Sequence, residues 1–297
     1  MALLTPAQAW KTAARTHTLP AAIVPVLVGS ALAYGEDVFR WDAFTWALVG
    51  ALAIQLAANF ANDASDAKRG VDTEARLGPP RMVSLGVITP GQMWTATWIA
   101  IGVAGIAGLA LTIIAGPLVL VIGVASVLAM LGYVGGPLPY GYRGFGEVFV
   151  FVFFGLVATV GSRYVQNMSA PLSAWLLAIP IGMLVTAILV ANNYRDIETD
   201  KETGKKTLAV MLGPRRTRWL FASLVFGAFP LIAIFAILGW TPFATLFAAL
   251  LLPFASGPVR IVYAKTTGPA LIRALKLTAK LHLWTGVVLA AGAAVVL

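Results

Sequence analysis

The chain has 297 residues, of which 59% are hydrophobic and only 11% are charged, and its net charge is +9. Soluble domains carry about 25% charged residues, so this composition excludes a water-soluble particle and indicates an integral membrane protein. The sequence contains no cysteine, which excludes disulfides, thiol catalysis and iron–sulfur clusters. Its 2 histidines are too few to build a histidine metal site.

Nine apolar runs are long enough to cross about 30 Å of hydrocarbon as helices. In chain order they are Leu19–Tyr34, Ala43–Ala61, Met93–Ile114, Leu118–Val134, Val148–Val165, Leu172–Ala191, Trp219–Leu238, Pro242–Ala255 and His282–Leu297. We therefore predict an all-α membrane protein, a nine-transmembrane-helix bundle with a central cavity and a cytoplasmic cap of loops and short helices. It forms a single domain over residues 1–297. The basic run Leu271–Lys280 is expected to lie on the lipid surface, and His17 and His282 at the membrane interface.

The basic residues are distributed very unequally between the two sides of this predicted bundle. Of the 21 Lys and Arg residues, all but Arg40 and Arg163 fall on the side that holds the N-terminus. The positive-inside rule makes that side cytoplasmic. It also accounts for the positive net charge without nucleic acid, which we do not expect as a partner. We predict a multi-pass protein of the cell (inner or plasma) membrane, with membrane lipids around it and its N-terminus in the cytoplasm.

The acidic residues are concentrated where topology does not require them. Eight of the 12 fall in two short stretches, each at the end of an apolar run, and an even number of predicted spans puts both on the cytoplasmic side. Helical spacing places each set on one stripe of a helix. The first stripe is Asn59, Asn62, Asp63 and Asp66, and the second is Asn192, Asp196 and Asp200. The two stretches align as a weak repeat, which predicts duplicated four-helix units at about 19–134 and 148–255.

Two carboxylate stripes at a membrane edge favour metal chemistry. Clustered carboxylates repel one another unless a cation lies between them, and ionised groups in a membrane are functional candidates. Oxygen ligands without histidine or cysteine select a hard cation, either Mg²⁺ or Mn²⁺. Water and substrate phosphate usually complete the coordination shell of such an ion. The predicted metal ligands are Asn62, Asp63, Asp66, Asp196 and Asp200. The alternative interpretation, helix caps and solvated loop charges, stays open above all for Asp72, Glu74, Glu198 and Glu202.

A third cytoplasmic segment, residues 133–147, is dense in Gly, Pro and Tyr, as is typical of a turn-rich loop. It is either a simple connection between helices or a lid that carries Arg143 and tyrosines over the site. Flanking basic side chains suit the oxygens of a diphosphate. The predicted substrate-binding residues are Asn59, Asn62, Lys68, Arg76, Arg81, Tyr133, Tyr140, Asn192, Arg195 and Lys205.

These motifs resemble a known family. Asn62-Asp63-x-x-Asp66 and Asp196-x-x-x-Asp200 are similar to the two aspartate motifs of the UbiA superfamily of intramembrane prenyltransferases. Three longer stretches resemble its 1,4-dihydroxy-2-naphthoate polyprenyltransferases, which act in menaquinone synthesis. They are Gly70-x-Asp72-x-x-x-Arg76-x-Gly78-Pro79-Pro80-Arg81, the loop from Gly135-Gly136-Pro137 to Gly146-Glu147, and Arg195-Asp196 through Gly204-Lys205-x-Thr207.

The resemblance implies nine helices, Mg²⁺ as cofactor and two substrates, a polyprenyl diphosphate and 1,4-dihydroxy-2-naphthoate. It implies prenyl transfer with loss of CO₂ and diphosphate. The expected catalytic residues are Asp63, Asp66, Asp196, Asp200 and Arg143. Two other classes stay open: prenyl transfer to hydroxybenzoate, homogentisate, a haem or a tetrapyrrole ester, and a divalent-cation or phosphate transporter. Against the transporter, the acids lie at span ends on one side only.

Overall fold

A computed structural model describes residues 5–70, 78, 80–135, 139–264 and 268–295. Over these residues the chain is helical and contains no strand, as lipid requires of a backbone that must satisfy its own hydrogen bonds. The helices are α1 (Pro6–Ala14), α2 (Pro20–Gly35), α3 (Trp41–Arg69), α4 (Pro90–Ala115), α5 (Leu118–Val134), α6 (Gly146–Val150), α7 (Ala158–Asn167), α8 (Leu172–Arg195), α9 (Ile197–Glu202), α10 (Leu208–Ile237), α11 (Leu252–Tyr263) and α12 (Gly268–Ala293). A π-helical segment, Phe151–Val157, joins α6 to α7, and a 3-10 segment, Phe243–Leu251, leads into α11.

Several helices are long and apolar enough to cross a membrane, so the chain is a multi-pass membrane protein. Within the described ranges six qualify, namely α3, α4, α6 through α7, α8, α10 and the Phe243–Tyr263 segment. A seventh results if α1 and α2, bent by 47° at their junction, count as one span. Helix α5 is shorter, with 17 residues, and α12 carries three basic residues in its first half. The count of nine spans therefore stays a prediction.

Helix α12 differs from its predicted form. It begins at Gly268 rather than at His282 and runs without a break to Ala293. The run Leu271–Lys280, expected on the lipid surface, is therefore the first part of a packed helix, and His282, expected at the interface, is fully buried. The physical reason is a buried face that recurs every three or four residues along the whole helix. That face is Leu271, Ala274, Leu275, Thr278, Leu281, His282, Thr285 and Leu289.

The bundle has a densely packed half and a half that encloses a cavity. In the packed half, α2, α8, α10, α11 and α12 share one apolar core with Phe221, Phe229 and Ile181 at its centre. In the other half, α3, α4 and α5 stand opposite the span that runs from α6 to α7. Large apolar side chains on the outer faces, such as Ile113 and Phe254, are exposed, as expected of surfaces that meet lipid tails.

The span from α6 to α7 approaches α8 unusually closely at two glycines. A Cβ atom at Gly155 would lie 2.5 Å from the Cα atom of Gly182, a distance that no side chain tolerates. Such small residues let helix backbones touch in a membrane. Gly155 belongs to the π-helical segment, and π-helical turns inside α-helices are frequent at functional sites. The close contact fixes one wall of the cavity.

Candidate active site

A cavity of about 870 Å³ extends into the bundle from the ends of α3 and α8 that carry the acidic motifs. Its deep part is lined mostly by small and apolar side chains of α3, α4, α5 and the α6–α7 span. Its mouth is polar and contains more basic than acidic groups. The polar and charged residues at the mouth are Lys11, Arg15, His17, Asn59, Asn62, Asp66, Arg81, Asn192, Asn193, Arg195, Asp196, Lys205 and Lys276.

Asp66 is the acidic residue of the first motif that lines the cavity. Helix α3 continues through the whole predicted stripe and ends at Arg69, where Gly70 takes the left-handed conformation (φ 65°) that favours glycine. Asp66 is 2% exposed, and its carboxylate accepts hydrogen bonds from the guanidinium of Arg81 and the hydroxyl of Tyr142. These partners offset the cost of burying its charge.

Asp63 lies on the same stripe but serves a neighbouring loop in this structure. Its two carboxylate oxygens accept hydrogen bonds from the backbone N–H groups of Met82 and Val83, both at 3.1 Å. The side chain is fully buried and does not line the cavity. It thus anchors the segment that carries Arg81. Its predicted role as a metal ligand stays a prediction.

Asn59 fixes the N-terminal segment to α3. Its Nδ2 atom donates to the carbonyl oxygen of Ala14 at 2.9 Å and to Thr18 Oγ1 at 3.0 Å. These bonds hold the segment around Arg15 along the cavity mouth, where Arg15 adopts a left-handed conformation (φ 47°). Asn62, one turn further along α3, lines the cavity as predicted.

The second motif does not form the continuous helical stripe that its spacing predicts. Helix α8 ends at Arg195, Asp196 has φ −98° and ψ 10°, and α9 begins at Ile197. Arg195 donates from Nε and Nη2 to the two carboxylate oxygens of Asp196, at 2.7 and 2.6 Å. Adjacent side chains on a helix do not face each other, so this paired contact requires the break. Arg195 also donates to Asn192 Oδ1 at 2.9 Å, and all three residues line the cavity.

Asp200 organises the turn that follows α9. Its carboxylate accepts a hydrogen bond from Thr207 Oγ1 at 3.4 Å and lies 3.7 Å from the Nζ atom of Lys205. Thr207 in turn caps α10 by accepting from the backbone N–H of Val210. Lys205 lines the cavity, whereas Asp200 lies behind it.

Tyr142 connects the two acidic motifs. Its hydroxyl donates to Asp66, while the Nζ atom of Lys205 lies 4.8 Å and the guanidinium carbon of Arg69 5.1 Å from the centre of its ring. Its backbone carbonyl also accepts from the N–H of Lys206 at 3.0 Å. Burial, together with the Asp66 carboxylate, raises the pKa of the Tyr142 phenol above its ordinary value, so the hydroxyl stays a donor at neutral pH.

In the described part of the 133–147 segment, tyrosines line the cavity and the arginine does not. Tyr133 and Tyr140 line the cavity as predicted, and the Tyr140 ring stacks on Phe149 with 3.8 Å between centroids. Arg143 is exposed and does not line the cavity, and the same is true of Lys68. Arg76 lies outside the described residues, as do Asp72 and Glu74.

Sequence reasoning did not assign several charged or polar residues at or beside the cavity to the site. Among them are Lys11, Arg15, His17, Tyr142, Glu147, Asn193 and Lys276. Arg15 and Lys276 were assigned to topology and to the lipid surface, because a lone basic residue gives no signal of which helix face packs inward. Asn193 stands next to a predicted residue, and an asparagine at the end of an apolar run was the available signal for it.

The donor atoms at the mouth fit a hard cation. Asp66, Asp196 and Asp200 each have a protein cation as partner, and the groups available to a metal are carboxylate and amide oxygens. Among the described residues no three His, Cys, Asp or Glu side chains are grouped closely enough to hold a metal by themselves. These oxygen donors therefore fit Mg²⁺ only together with a phosphate ligand. The phosphate would complete the coordination of the metal and would attract the basic side chains that now pair with the aspartates.

Comparison with known proteins identifies the class of this all-helical membrane protein. The model of the UbiA prenyltransferase family matches residues 22–286, and the chain belongs to this family of prenyltransferases. Among curated relatives, the 1,4-dihydroxy-2-naphthoate octaprenyltransferase of Mycobacterium tuberculosis is 40% identical over 84% of this chain and 86% of its own. The enzymes of that name from Mycobacterium leprae and Escherichia coli are 42% and 38% identical, over 73% and 77% of this chain and 73% and 76% of their own.

Solved structures share the fold at low sequence identity. A UbiA homolog from Archaeoglobus fulgidus, described as bound to GPP and Mg²⁺, has a TM-score of 0.68 and 13% identity over 95% of this chain and 99% of that one. A structure described as digeranylgeranylglyceryl phosphate synthase has a TM-score of 0.62 and 15% identity, over 97% and 98% of the two chains. These likenesses establish the architecture of the bundle.

Proposed function

We propose that this protein transfers a polyprenyl group from an all-trans polyprenyl diphosphate to 1,4-dihydroxy-2-naphthoate and releases CO₂ and diphosphate to give demethylmenaquinol. The observation that carries this proposal is a deep apolar cavity whose mouth pairs buried aspartates with basic side chains. A prenyl tail fits the apolar part, and a diphosphate fits the mouth. The curated relatives favour the naphthoate over hydroxybenzoate and homogentisate, and prenyl transfer over transport.

The reaction balances without an added reactant. The C–O bond of the prenyl diphosphate breaks and its electron pair leaves with the diphosphate. The aromatic carbon that bears the carboxylate forms the new C–C bond, and the electron pair of the departing carboxylate group restores the aromatic ring as CO₂ leaves. CO₂ is therefore the group that the ring loses, and the ring carbon releases no proton.

The charged residues at the mouth have complementary roles in this proposal. Asp66, Asp196 and Asp200, with Asn62 as a further oxygen donor, would hold Mg²⁺, and Mn²⁺ would substitute for it. The bound metal would neutralise the diphosphate as a leaving group. Arg81, Arg195 and Lys205, which pair with the aspartates in this structure, would turn to the phosphate oxygens. A homolog of the same fold described as bound to GPP and Mg²⁺ supports a prenyl diphosphate and Mg²⁺ as the ligands.

Water must be kept from the electron-poor allylic carbon, and the cavity walls serve this purpose. Phe149, Phe153 and Tyr140 stack along the wall formed by the α6–α7 span. Aromatic faces stabilise positive charge and exclude water, so they favour attack by the acceptor ring over hydrolysis.

We also propose nine spans, with the N-terminus, both acidic motifs and the 133–147 loop in the cytoplasm of a cell (inner or plasma) membrane. The charge asymmetry of the loops supports this orientation. The chain has no native cysteine, so single cysteines report cleanly. We expect Lys68→Cys and Glu202→Cys, both at exposed positions, to be shielded from an impermeant thiol reagent in intact cells, and Met168→Cys to be labelled. Labelling of either of the first two would overturn the orientation.

A single duplicated domain completes the proposal. Helices α3 and α8 both end in an Asn-containing acidic motif, which supports four-helix units at about 19–134 and 148–255.

A direct assay tests the proposed activity. Purified protein is incubated with Mg²⁺, a polyprenyl diphosphate and a panel of acceptors: dihydroxynaphthoate, hydroxybenzoate and homogentisate. Mass spectrometry is expected to find prenylated, decarboxylated naphthoquinol and equimolar CO₂. Transfer to another acceptor with none to the naphthoate would overturn the acceptor assignment, and the absence of any transfer would overturn the function.

A further inference from the structure

A buried polar pair at the edge of the cavity is not among the residues proposed to hold the metal or the diphosphate. Asn193, on α8, donates from Nδ2 to Glu147 Oε1 on α6 at 2.8 Å. Both residues are 5% exposed, and Asn193 lines the cavity. Their contact ties the helix that carries the second acidic motif to the helix that follows the tyrosine loop.

The pair is costly for a contact that only joins two helices. The second carboxylate oxygen of Glu147 is buried and has no hydrogen-bond partner within the described part of the chain. An unsatisfied buried polar atom typically costs about 1–3 kcal/mol, and an apolar pair of the same size would avoid that cost. A buried carboxylate with this energetic cost indicates a role beyond packing.

The hydrogen bond fixes which end of the Asn193 amide faces the ligand. A carboxylate oxygen accepts hydrogen bonds, so it selects the Nδ2 end of the amide as its partner. The planar amide then presents Oδ1 elsewhere, and no hydrogen bond to this atom occurs among the described residues. Because the side chain lines the cavity and its Nδ2 atom is engaged by Glu147, Oδ1 is the end of the amide that is left for a hydroxyl donor there.

The same corner of the cavity suits a flat aromatic ring. Tyr133 and Tyr140 pack edge to face with 5.5 Å between centroids, and Tyr140 stacks on Phe149. A Cβ atom placed on Gly146, the residue before Glu147, would lie 3.4 Å from the Tyr133 hydroxyl. The aromatic group and the Glu147–Asn193 pair are therefore neighbours, and a ring lying against these aromatics would bring its substituents close to Asn193.

We propose that Asn193 Oδ1 accepts a hydrogen bond from a ring hydroxyl of the aromatic acceptor, and that Glu147 is the positioning residue that keeps this oxygen turned to the cavity. This inference rests on the proposed prenyl transfer and assigns the recognition of the hydroxylated ring. The hydrogen bond leaves the proton on the hydroxyl. It orients the ring and raises electron density on the phenolic oxygen, which makes the attacking carbon more nucleophilic.

Steady-state kinetics with each substrate varied in turn tests the proposal. Asn193→Leu keeps the side-chain size but removes Oδ1, and we expect it to lower kcat/KM for dihydroxynaphthoate by about 10- to 100-fold. The KM for polyprenyl diphosphate should change by less than about threefold. Thr186→Val on the same helix, which also alters a buried polar side chain but lies away from the cavity, is the matched control and should change neither value.

Acceptor analogues that lack one hydroxyl test directly whether a ring hydroxyl is recognised. The wild type should prefer dihydroxynaphthoate over at least one of 1-hydroxy-2-naphthoate and 4-hydroxy-2-naphthoate by about 10-fold or more, the penalty for leaving a buried acceptor unpaired. Asn193→Leu should abolish that preference while Thr186→Val retains it. An unchanged preference in Asn193→Leu would overturn the proposal.

Exchanging the acid and the amide between positions 147 and 193 tests whether Glu147 positions Asn193 or only packs against it. Glu147→Gln alone lets the amide of Asn193 turn either way and should lower acceptor kcat/KM by several-fold. In the double variant Glu147→Gln/Asn193→Asp, the Gln side chain donates to one carboxylate oxygen of the Asp. The other carboxylate oxygen still faces the cavity. We expect the double variant to recover most of the loss seen in Asn193→Asp alone. Failure to recover, in protein that elutes normally from detergent gel filtration, would overturn the positioning role of Glu147.

The outcomes remain distinct from those for the proposed function. If the wild type prenylates hydroxybenzoate but not the naphthoate, the acceptor assignment fails, and the same variants can be read on hydroxybenzoate and its deoxy analogue. A loss in Asn193→Leu that falls equally on both substrates would instead contradict acceptor recognition while leaving prenyl transfer intact.

Discussion

The two acidic motifs, which are proposed to bind one metal ion, are held by different kinds of partner. In the first, Asp66 is held by Arg81 and by Tyr142, which come from two separate loops distant along the chain. In the second, Asp196 pairs with its neighbour Arg195, and Asp200 with the nearby Lys205. The second motif is therefore organised by local sequence, whereas the first depends on the assembly of the cap. Damage to the first should disturb structure and activity together, and damage to the second mainly activity.

The largest effect should come from removing the metal that both motifs are proposed to share. Excess EDTA should abolish prenyl transfer, because the diphosphate then leaves without charge neutralisation. Added Mg²⁺ should restore full activity, and Mn²⁺ should restore a substantial part of it. The measurement is product formation by mass spectrometry after dialysis against chelator. Undiminished turnover in chelator would show that the two motifs do not share a catalytic metal ion.

Single aspartate substitutions should separate the motifs. Asp66→Asn and Asp200→Asn should each lower kcat by on the order of 10²-fold, since each removes a charge near the metal. Only Asp66→Asn leaves a deeply buried guanidinium without its carboxylate, so it alone should lower the Tm in detergent, by roughly 5 °C. Lys205 is more exposed and reaches water when Asp200 is neutralised. Equal losses of Tm in both variants would contradict the distinction between assembled and local motifs.

Tyr142 should show an intermediate effect, because it connects the motifs without facing the cavity. Tyr142→Phe removes the hydrogen bond to Asp66 but keeps the ring beside Lys205, and should lower kcat/KM about 10-fold. Tyr142→Leu also removes the ring and should cost about threefold more. Tyr263→Phe, at an exposed tyrosine that contacts Arg218, is the control and should have no effect.

The same residue predicts a feature of the pH profile. The pKa of the Tyr142 phenol is raised in the folded protein, so its hydrogen bond is fully present below the ordinary tyrosine pKa of about 10 and is lost only as the pH rises through a still higher value. The ratio of wild-type to Tyr142→Phe activity should therefore be constant from pH 7 to about pH 9.5. A ratio that falls within this range would show that the hydroxyl ionises there.

The smallest effect should follow substitution of an acid outside the cavity. Glu202 is exposed on α9, two residues after Asp200, and does not line the cavity. Glu202→Gln should change kcat by less than about threefold, as most surface substitutions do. If it proved as damaging as Asp200→Asn, the acidic residues would act as a diffuse cation-attracting surface. The proposal that each motif contributes defined ligands to one metal ion would then be wrong.

The sequence was sufficient to predict the class of fold and the approximate location of the site, for identifiable physical reasons. Apolar runs of membrane length determine helices, because no other open structure satisfies the backbone in lipid. Helical periodicity put Asn62 and Asp66 on one stripe, and both line the cavity, as do Tyr133 and Tyr140 of the 133–147 segment. Local patterns predict local structure well.

Features that depend on side-chain partners were missed. The spacing of Asn192, Asp196 and Asp200 fits a helix, yet the attraction between adjacent charges on Arg195 and Asp196 accompanies a break in it. Tyr142 reaches Asp66 across many residues of intervening chain, a contact that no periodicity reveals. The inward face of α12 was hidden because its basic residues resemble those of a surface helix.

The contact between Gly155 and Gly182 has a consequence for how tail length can vary in such enzymes. Neither glycine lines the cavity, but their contact holds the α6–α7 span against α8, since any added side chain would push two backbones apart. The opposite wall is permissive: Gly108 and Gly123 line the cavity, and a Cβ atom on either would meet nothing within 4 Å. Larger residues there would shorten the space for isoprene units without disturbing the catalytic end. Gly161 on α7 is similarly open, so selection for shorter or longer quinone tails can act at these three glycines while the Gly155–Gly182 contact stays fixed.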